Sequence, residues 1–368
     1  MKTEINSLLQ LGMIKGIGNT CAISLLEHFQ CAGAVFDASF KELNHLVGAQ
    51  RARSILSHRS DQLLIENEIA FIEQQDIRVI SVLDDQYPEK LRNITDAPYL
   101  LFYKGNALLN ASRQISIVGT REPSEYGKEW TKYIVDALAP YNVTVVSGMA
   151  RGIDGIAHKQ SLVNQISTIG VLAHGLDRIY PEAHKRVAYD MINAGGLLTE
   201  YRSQTIPERQ NFPMRNRIVA GMTDATLVVE TDVKGGAMIT AKLALGYDRE
   251  VMAVPGRVKD TTSSGCNYLI KTQMAQLICD VEDIVQVMGW EEPKAVPKMS
   301  IQPRLFMHCN ERETKIIDLM EHRDMIHIDE LQLKSGMRES QLANILLQLE
   351  FQDIVTALPG KRFKLNCA

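Results

Sequence analysis

The sequence lacks long apolar runs, a large net charge and paired cysteines, and each absence excludes a class of protein. No run reaches the roughly 18 apolar residues that span a bilayer, and the first residues have no apolar core like that of a signal peptide. A net charge of -4 over 368 residues excludes a wholly basic nucleic-acid-binding protein, so an anionic partner would need a local patch. The six cysteines contain no CxxC pair, which disfavours zinc ribbons and disulfide scaffolds. We expect a soluble cytoplasmic protein with no membrane contact.

The common catalytic motifs are also missing. The sequence contains no P-loop, no GxSxG and no HExxH. The segment GIGNTC follows no predicted strand and lacks a third glycine, so it is not a dinucleotide fingerprint. Asp154 and His158 have the i, i+4 spacing of a metal site or an acid–base pair, but we favour a local hydrogen bond between them that braces the preceding turn. We therefore predict that the protein is not an enzyme and has no metal site and no cofactor.

The pattern of residue types along the sequence predicts three domains. Residues 1–65 predict a small all-α domain of SAM or helix-hairpin-helix type, with Asp37 as the N-cap of one helix. Residues 66–288 alternate eight β-branched runs, from RVISVL to EVMAVPG, with amphipathic stretches. This pattern predicts an extended Rossmann-like, doubly wound α/β domain with a mostly parallel sheet. Residues 289–306 contain three prolines and predict a linker, and 307–368 predict three helices and two strands, the layout of a winged-helix domain.

Glycine-rich loops follow several of the predicted strands. In a doubly wound sheet, ligands bind outside the carboxyl ends of the strands. Small residues there let backbone N–H groups approach a phosphate, and the next helix N-terminus adds a favourable dipole. Glycines can also simply form tight turns, but their recurrence in successive units favours an anion site. The candidate residues in these loops are Gly119, Thr120, Arg121, Ser147 and Gly148.

A later segment, RQNFPMRNR, is rich in arginine and contains no acid. Its candidate DNA-binding residues are Arg209, Phe212, Arg215 and Arg217. Arginine makes planar, permanently charged contacts to phosphate, and stacking of one base on a phenylalanine is worth about 1–3 kcal/mol. In the alternative interpretation, the last two arginines pair with carboxylates such as Glu200 or Asp224 and the phenylalanine fills the core. The residues alone leave both interpretations open.

The two flanking domains give weaker signals. The turn at 15–19 can present backbone N–H groups to phosphates without reading sequence. However, residues 1–60 hold six Lys and Arg against four Asp and Glu, so a protein-interaction module is equally compatible. Residues 307–368 hold eight Lys and Arg against ten Asp and Glu, whereas a duplex-reading helix should carry positive charge. The only basic cluster of this region consists of Lys361, Arg362 and Lys364, and we favour a protein-contact or weak accessory role for the domain.

The motifs of the central region combine into a series that resembles a known family. In order, they are SIVGTREPSEYG, VVSGMARGIDGIAH, IGVLAHGLDRIYP, GGLLTEY, NFPMRNRIVAG, LVVETDVKGGAMITAKLAL, VMAVPG and SSGCNYLI. The series resembles the DNA-processing protein A (DprA/Smf) family from about residue 78 to 288. Eight motifs in one order are far more specific than any single glycine loop. The flanking regions resemble that family's optional domains less closely.

The resemblance implies a non-catalytic, DNA-binding role. Members of the family bind single-stranded DNA in natural transformation, protect it, help to load the RecA recombinase and form dimers through the extended Rossmann domain. The arginine of the family's GTR-type loop matches Arg121, and its phenylalanine matches Phe212. The family's lysine three residues earlier falls at Arg209, which keeps the charge. Two positions depart from the family pattern: an asparagine is replaced by His184, and a segment rich in serine or alanine begins here with Lys234, which adds a positive charge.

We therefore predict a homodimeric single-stranded DNA-binding mediator that partners with RecA. Its contacts would go to phosphates and base faces, so we expect little sequence preference. The first alternative is a nucleotide-processing enzyme of the phosphoribohydrolase type, which the paired glycines of 233–239 resemble. Lys242 occupies the position of that family's catalytic glutamate, which reverses the charge needed there. The second alternative is a protein-interaction scaffold with a vestigial pocket.

Overall fold

The computed structural model describes residues 2–59, 61–291, 311–320, 325–351, 354–358 and 360–365. The chain divides into two compact units, Met1–Pro293 and Lys294–Ala368. Within the described residues, every helix is too short or too polar to span a membrane. The predicted linker at 289–306 lies outside the described residues from position 292 onward.

The first unit begins with a group of helices that shares its apolar core with the sheet. They are α1 (Lys2–Met13), α2 (Asn19–Phe29), α3 (Ala32–Asp37), α4 (Phe40–Val47), α5 (Ala49–Ser57) and α6 (Gln62–Gln74). The prediction of Asp37 as an N-cap is wrong: Asp37 ends α3, and Ser39 caps α4 in a reciprocal pair with Glu42. Helix α6 crosses position 65, and the predicted boundaries between the domains stay predictions.

A nine-stranded sheet forms the centre of the unit. Its strands are β1 (Arg78–Ser81), β2 (Leu100–Gly105), β3 (Gln114–Val118), β4 (Thr144–Ser147), β5 (Thr168–Val171), β6 (Gly195–Thr199), β7 (Ala225–Val228), β8 (Glu250–Ala253) and β9 (Gln276–Leu277). The spatial order is β1-β2-β6-β5-β4-β3-β7-β8-β9. Strand β2 pairs antiparallel with β1 and with β6, and all other pairs are parallel. All eight predicted strands are present, and the mostly parallel sheet is confirmed.

Helices cover both faces of this sheet. They are α7 (Glu89–Arg92), α8 (Glu125–Leu138), α9 (Ile153–Val163), α10 (Lys185–Ala194), α11 (Asn211–Gly221), α12 (Gly236–Gly246), α13 (Ser264–Lys271) and α14 (Val281–Met288). Short 3₁₀ turns lie at Ala139–Tyr141, Glu182–His184 and Thr261–Ser263. Successive strand residues face different cores: Val118 of β3 belongs to the same core as Ile218 of α11, whereas Ile117 belongs to the same core as Ile134 of α8. This two-sided burial confirms the predicted doubly wound architecture.

The direction of winding reverses beside β3. The chain runs from β3 through β4 and β5 toward one edge of the sheet, and later places β7 and β8 on the other side of β3. The connecting helices diverge at such a point, which leaves a crevice beyond the carboxyl ends of the strands where ligands bind. The site is therefore expected beyond β3, β4 and β7.

The second unit has the predicted winged-helix arrangement. It contains α15 (Glu311–Met320), β10 (Ile326–His327), α16 (Ile328–Ser335), α17 (Glu339–Phe351), β11 (Val355–Leu358) and β12 (Arg362–Leu365). The strands form an antiparallel sheet in the order β10-β12-β11. One detail of the prediction is wrong, because residues 326–327 form a strand rather than the start of the second helix. Leu331, Leu342 and Leu349 form the centre of its core.

Candidate nucleic-acid interface

Two loops that follow neighbouring parallel strands line a cavity of about 410 Å³. One loop follows β3 and the other follows β4, and they face α11 and the first turn of α12. Of the predicted site residues, six line this cavity: Gly119, Thr120, Arg121, Gly148, Phe212 and Arg215. The crevice beside β3 thus brings together residues that lie almost 100 positions apart in the sequence.

Arg215 forms the positively charged floor of the cavity. Its side chain is almost completely buried, and Nη1 donates hydrogen bonds to the carbonyl oxygens of Gly148 and Val171. A Cβ atom at position 148 would lie 2.5 Å from Nη2 of Arg215, so only glycine lets the loop rest directly on the guanidinium. Burial lowers the pKa of Arg215 to about 10, so the group still carries its charge at neutral pH.

Two acidic residues line the cavity: Asp154, which is buried beside this floor, and Asp232, which is exposed. Burial raises the pKa of the Asp154 carboxyl group, and the charge of Arg215 acts in the opposite direction. The Asp154 Oδ2 atom accepts a hydrogen bond of 3.2 Å from the Ala150 N–H, which braces the turn after β4. The predicted bond between Asp154 and His158 is absent, because His158 Nδ1 lies 2.7 Å from the Thr168 hydroxyl. Burial lowers the pKa of His158 to about 3, so this histidine is a neutral core residue.

Arg121 and Phe212 form the rim of the cavity. The guanidinium of Arg121 lies 5.3 Å from the centre of the Phe212 ring, within the range of a cation–π contact. Arg121 is exposed and Phe212 is half-buried, so the ring does not fill the core as the alternative interpretation proposed. Among the described residues, no carboxylate forms an ion pair with Arg121. An exposed cation and an aromatic face therefore stand side by side at the entrance.

Two of the predicted residues are buried and do not line the cavity. Arg217 is 2% exposed and forms an ion pair with Glu200, as the alternative interpretation proposed. Its Nη1 also donates to the Asp96 carbonyl. Ser147 is buried, and its hydroxyl donates to the Ile117 carbonyl at 2.6 Å. Both side chains therefore support the fold and are not among the proposed DNA contacts.

The last two predicted residues lie on the surface outside the cavity lining. Arg209 is exposed just before α11, and Lys234 is exposed in the turn before α12. The backbone N–H of Lys234 donates to the Asp232 side chain at 2.8 Å, which fixes that turn. Asp224, proposed in the alternative as an arginine partner, instead pairs with Lys90 at 2.9 Å. Arg209 and Lys234 thus flank the ends of the two helices that face the cavity.

A second cavity of about 400 Å³ lies beside the first and was not predicted. The two cavities share Arg121, Phe212 and Arg215 as a wall. Arg151 and Tyr180 line only the second cavity. Arg151 lies in the loop after β4, one of the loops at strand ends to which the sequence already pointed, whereas Tyr180 lies in a long loop with no local signal.

Two protein-family models match the chain, one in each of its two compact units. Residues 78–289 match the family described as DNA recombination-mediator protein A, and residues 309–361 match the DprA winged helix domain. Over 312 residues, the chain is 34% identical to Protein Smf of Escherichia coli (strain K12), covering 83% of this chain and 82% of that protein. It is 40% identical over 219 residues to DNA processing protein DprA of Bacillus subtilis (strain 168), covering 59% and 73% of the two chains.

Solved structures give the same comparison in three dimensions. The X-ray structure of DNA processing protein A from Streptococcus pneumoniae matches with a TM-score of 0.69 and 31% identity, over 79% of this chain and 99% of that chain. A structure concerned with the single-stranded DNA binding mode of DNA processing protein A from Helicobacter pylori matches with a TM-score of 0.53 and 29% identity. That match covers 58% of this chain and 95% of the other.

Proposed function

We propose, since this chain belongs to the DNA recombination-mediator protein A family, that its recombination-mediator role rests on binding single-stranded DNA. In this proposal the protein protects incoming single-stranded DNA and helps to load the RecA recombinase during natural transformation. The DNA contacts come from the loops after β3 and β4, from α11 and from its flanking basic residues. The protein acts in the cytoplasm without a cofactor, and catalyses no reaction.

The observation that carries the proposal is the juxtaposition at the rim of the cavity. Arg121 lies over the Phe212 ring, with the buried charge of Arg215 beneath them. A phosphate needs a cation, and an unpaired base needs an aromatic ring on which to stack. Bases in a duplex already stack on each other, so this pair of groups suits a single strand better. The protein carries net negative charge, so an anionic strand needs a local basic surface such as this one.

Salt dependence of binding tests the proposal. For a short oligo-dT, log K should fall with log salt by about 0.7 for each phosphate that the protein neutralises. Arg121→Ala combined with Arg209→Ala should lower the affinity and flatten this slope. Arg186→Ala, which removes an exposed arginine on α10 outside both cavities, is the matched control and should change neither. An unchanged slope in the double variant, or tighter binding of a duplex of the same length, would contradict the proposal.

RecA contact and dimer formation form the second part of the proposal. We expect light scattering to give twice the mass of 41.2 kDa for the purified chain. We expect immobilised protein to retain RecA more strongly when single-stranded DNA is present. A monomeric mass would remove the dimer from the proposal. RecA retention that ignores both DNA and the rim variants would instead favour the scaffold alternative.

The enzyme alternative requires a catalytic glutamate, and this glutamate is absent from its expected position. Position 242, where a phosphoribohydrolase would hold its catalytic glutamate, is an exposed lysine on α12. We expect no free base to be released when nucleoside monophosphates are incubated with the protein and the products are separated by chromatography. Release of base that is lost on substitution of the 235–240 loop would replace the binding role by a catalytic one.

A further inference from the structure

The second cavity offers the same two kinds of group as the first, and both cavities are lined by the ring of Phe212. Phe212 and Arg121 form the shared wall, and Arg215 contributes to both floors. The second cavity adds one arginine, Arg151, and one aromatic residue, Tyr180. The cavities have nearly equal volumes, about 410 and 400 Å³. Repetition of a cation and a ring at one rim indicates two neighbouring positions for the same kind of ligand.

Tyr180 presents an open ring next to Phe212. Its side chain is 49% exposed, and the centres of the two rings lie 6.1 Å apart with an angle of 56° between their planes. Because the rings are tilted rather than parallel, a base on Tyr180 would lie beside a base on Phe212 and not on top of it. Two adjacent, inclined faces match two consecutive bases of one strand.

Buried contacts fix the position of Tyr180. The Nδ1 atom of His174 lies 2.9 Å from the Gly175 carbonyl oxygen, and Nε2 accepts a hydrogen bond of 3.3 Å from the Tyr180 N–H. Only the neutral ring with its proton on Nδ1 satisfies both contacts. Burial lowers the pKa of His174, which keeps the ring neutral. The backbone beneath Tyr180 is therefore held in place before any ligand binds, which reduces the entropy cost of stacking.

Arg151 supplies the charge of the second cavity. It is exposed, and within the described part of the chain no carboxylate pairs with it. Glu122 also lines this cavity, but it is opposed there by Arg121, Arg151 and Arg215. The local charge is therefore positive, as a phosphate requires.

We infer that the second cavity is an adjacent nucleotide subsite, in which Tyr180 stacks one base of a single strand and Arg151 contacts its phosphate. The inference rests on the proposed function, because it adds a position to the same strand. Each protomer would then hold at least two consecutive nucleotides rather than one.

An abasic scan on the full chain tests the inference. The probe is the shortest oligo-dT that binds with full affinity, with one abasic residue moved along it. The unmodified protein should lose affinity at two neighbouring positions. Tyr180→Ala should lower the affinity by about 5- to 150-fold, the equivalent of about 1–3 kcal/mol, and remove the sensitivity at one of these positions. Phe212→Ala should remove it at the other, and Tyr180→Phe, which keeps the ring, should bind within about twofold of the unmodified protein.

The salt slope provides a second, independent readout. Arg151→Gln should reduce the slope of log K against log salt by about 0.7, the value for one phosphate of a single strand. The matched controls are Arg186→Gln and Tyr189→Ala, both exposed on α10 outside the cavities. If Tyr180→Ala and Arg151→Gln bind like these controls while Phe212→Ala is weakened, the second subsite is wrong and the proposed function stands. If the unmodified chain does not bind oligo-dT, the proposed function and the subsite both fail.

Discussion

The buried pair of Arg217 and Glu200 predicts a variant that loses stability but keeps its DNA affinity. Arg217 is 2% exposed and Glu200 is 12% exposed, so both charges are removed from water. Arg217→Met keeps an unbranched apolar stem, removes the guanidinium and leaves the Glu200 carboxylate buried without its partner. Removal of one member of a buried pair costs about 3–5 kcal/mol. We therefore expect the free energy of unfolding to fall by about that amount in urea denaturation.

The pH dependence of this loss has a definite sign. Burial raises the pKa of Glu200 even though Arg217 opposes the shift, and removal of Arg217 raises it further. A carboxyl group whose folded pKa is raised binds more protons in the folded state than in the unfolded state. Its contribution to stability is therefore largest at low pH and is lost as the pH rises through the raised pKa. Arg217→Met should be less destabilised at pH 5 than at pH 8.

A double variant and a binding assay complete this test. Arg217→Met with Glu200→Leu replaces both charges by apolar groups and should recover most of the lost stability. Oligo-dT affinity, measured where the single variant is folded, should equal that of the unmodified protein. A stable Arg217→Met variant with weakened DNA binding would refute the assignment of Arg217 to the fold.

Three further predictions concern the site and its surroundings. Gly148→Ala places a Cβ 2.5 Å from the Arg215 guanidinium, so it should displace the floor and weaken oligo-dT binding by at least about tenfold in fluorescence anisotropy, as expected for a lost charge-assisted contact of about 1.5–3 kcal/mol; unchanged binding would contradict the close approach. The folded pKa of His158 lies at about 3, below its ordinary value of 6.5, so this residue should make stability fall as the pH falls below about 6.5, and His158→Gln should flatten urea midpoints over that range. Residues 307–368 carry more acidic than basic residues, so a chain that ends at residue 306 should bind oligo-dT within about threefold of the full chain at equal salt; a larger loss would give the winged-helix unit a direct role in DNA binding.

The sheet and the location of the site were predictable because they depend on local patterns. The strands are short, continuous apolar runs, and in a parallel sheet their carboxyl ends meet at one edge. The loops that carry Arg121 and Gly148 therefore had to lie close together. The capping of α4 is equally local, since the Ser39 and Glu42 spacing is that of a capping box, although the prediction placed the cap at Asp37.

The roles of individual arginines depend on helix faces and on distant partners. Once α11 is known to begin at Asn211, Phe212 and Arg215 share one face at i, i+3. Arg217 lies two residues further, on a different face, where Glu200 from the β6 end meets it. The composition of residues 209–217 does not distinguish the three arginines from one another. Only the start of the helix and the position of a residue from another strand separate a cavity residue from a core residue.

Photocrosslinking tests the central claim most directly. A short single strand that contains iodouracil forms adducts with the aromatic side chain on which the modified base stacks, and peptide mass spectrometry identifies the residue. We predict that the main adduct forms on Phe212 and that it decreases in Arg121→Ala. Adducts confined to the N-terminal helices or to the winged-helix unit, with none at the rim of the cavities, would contradict the account.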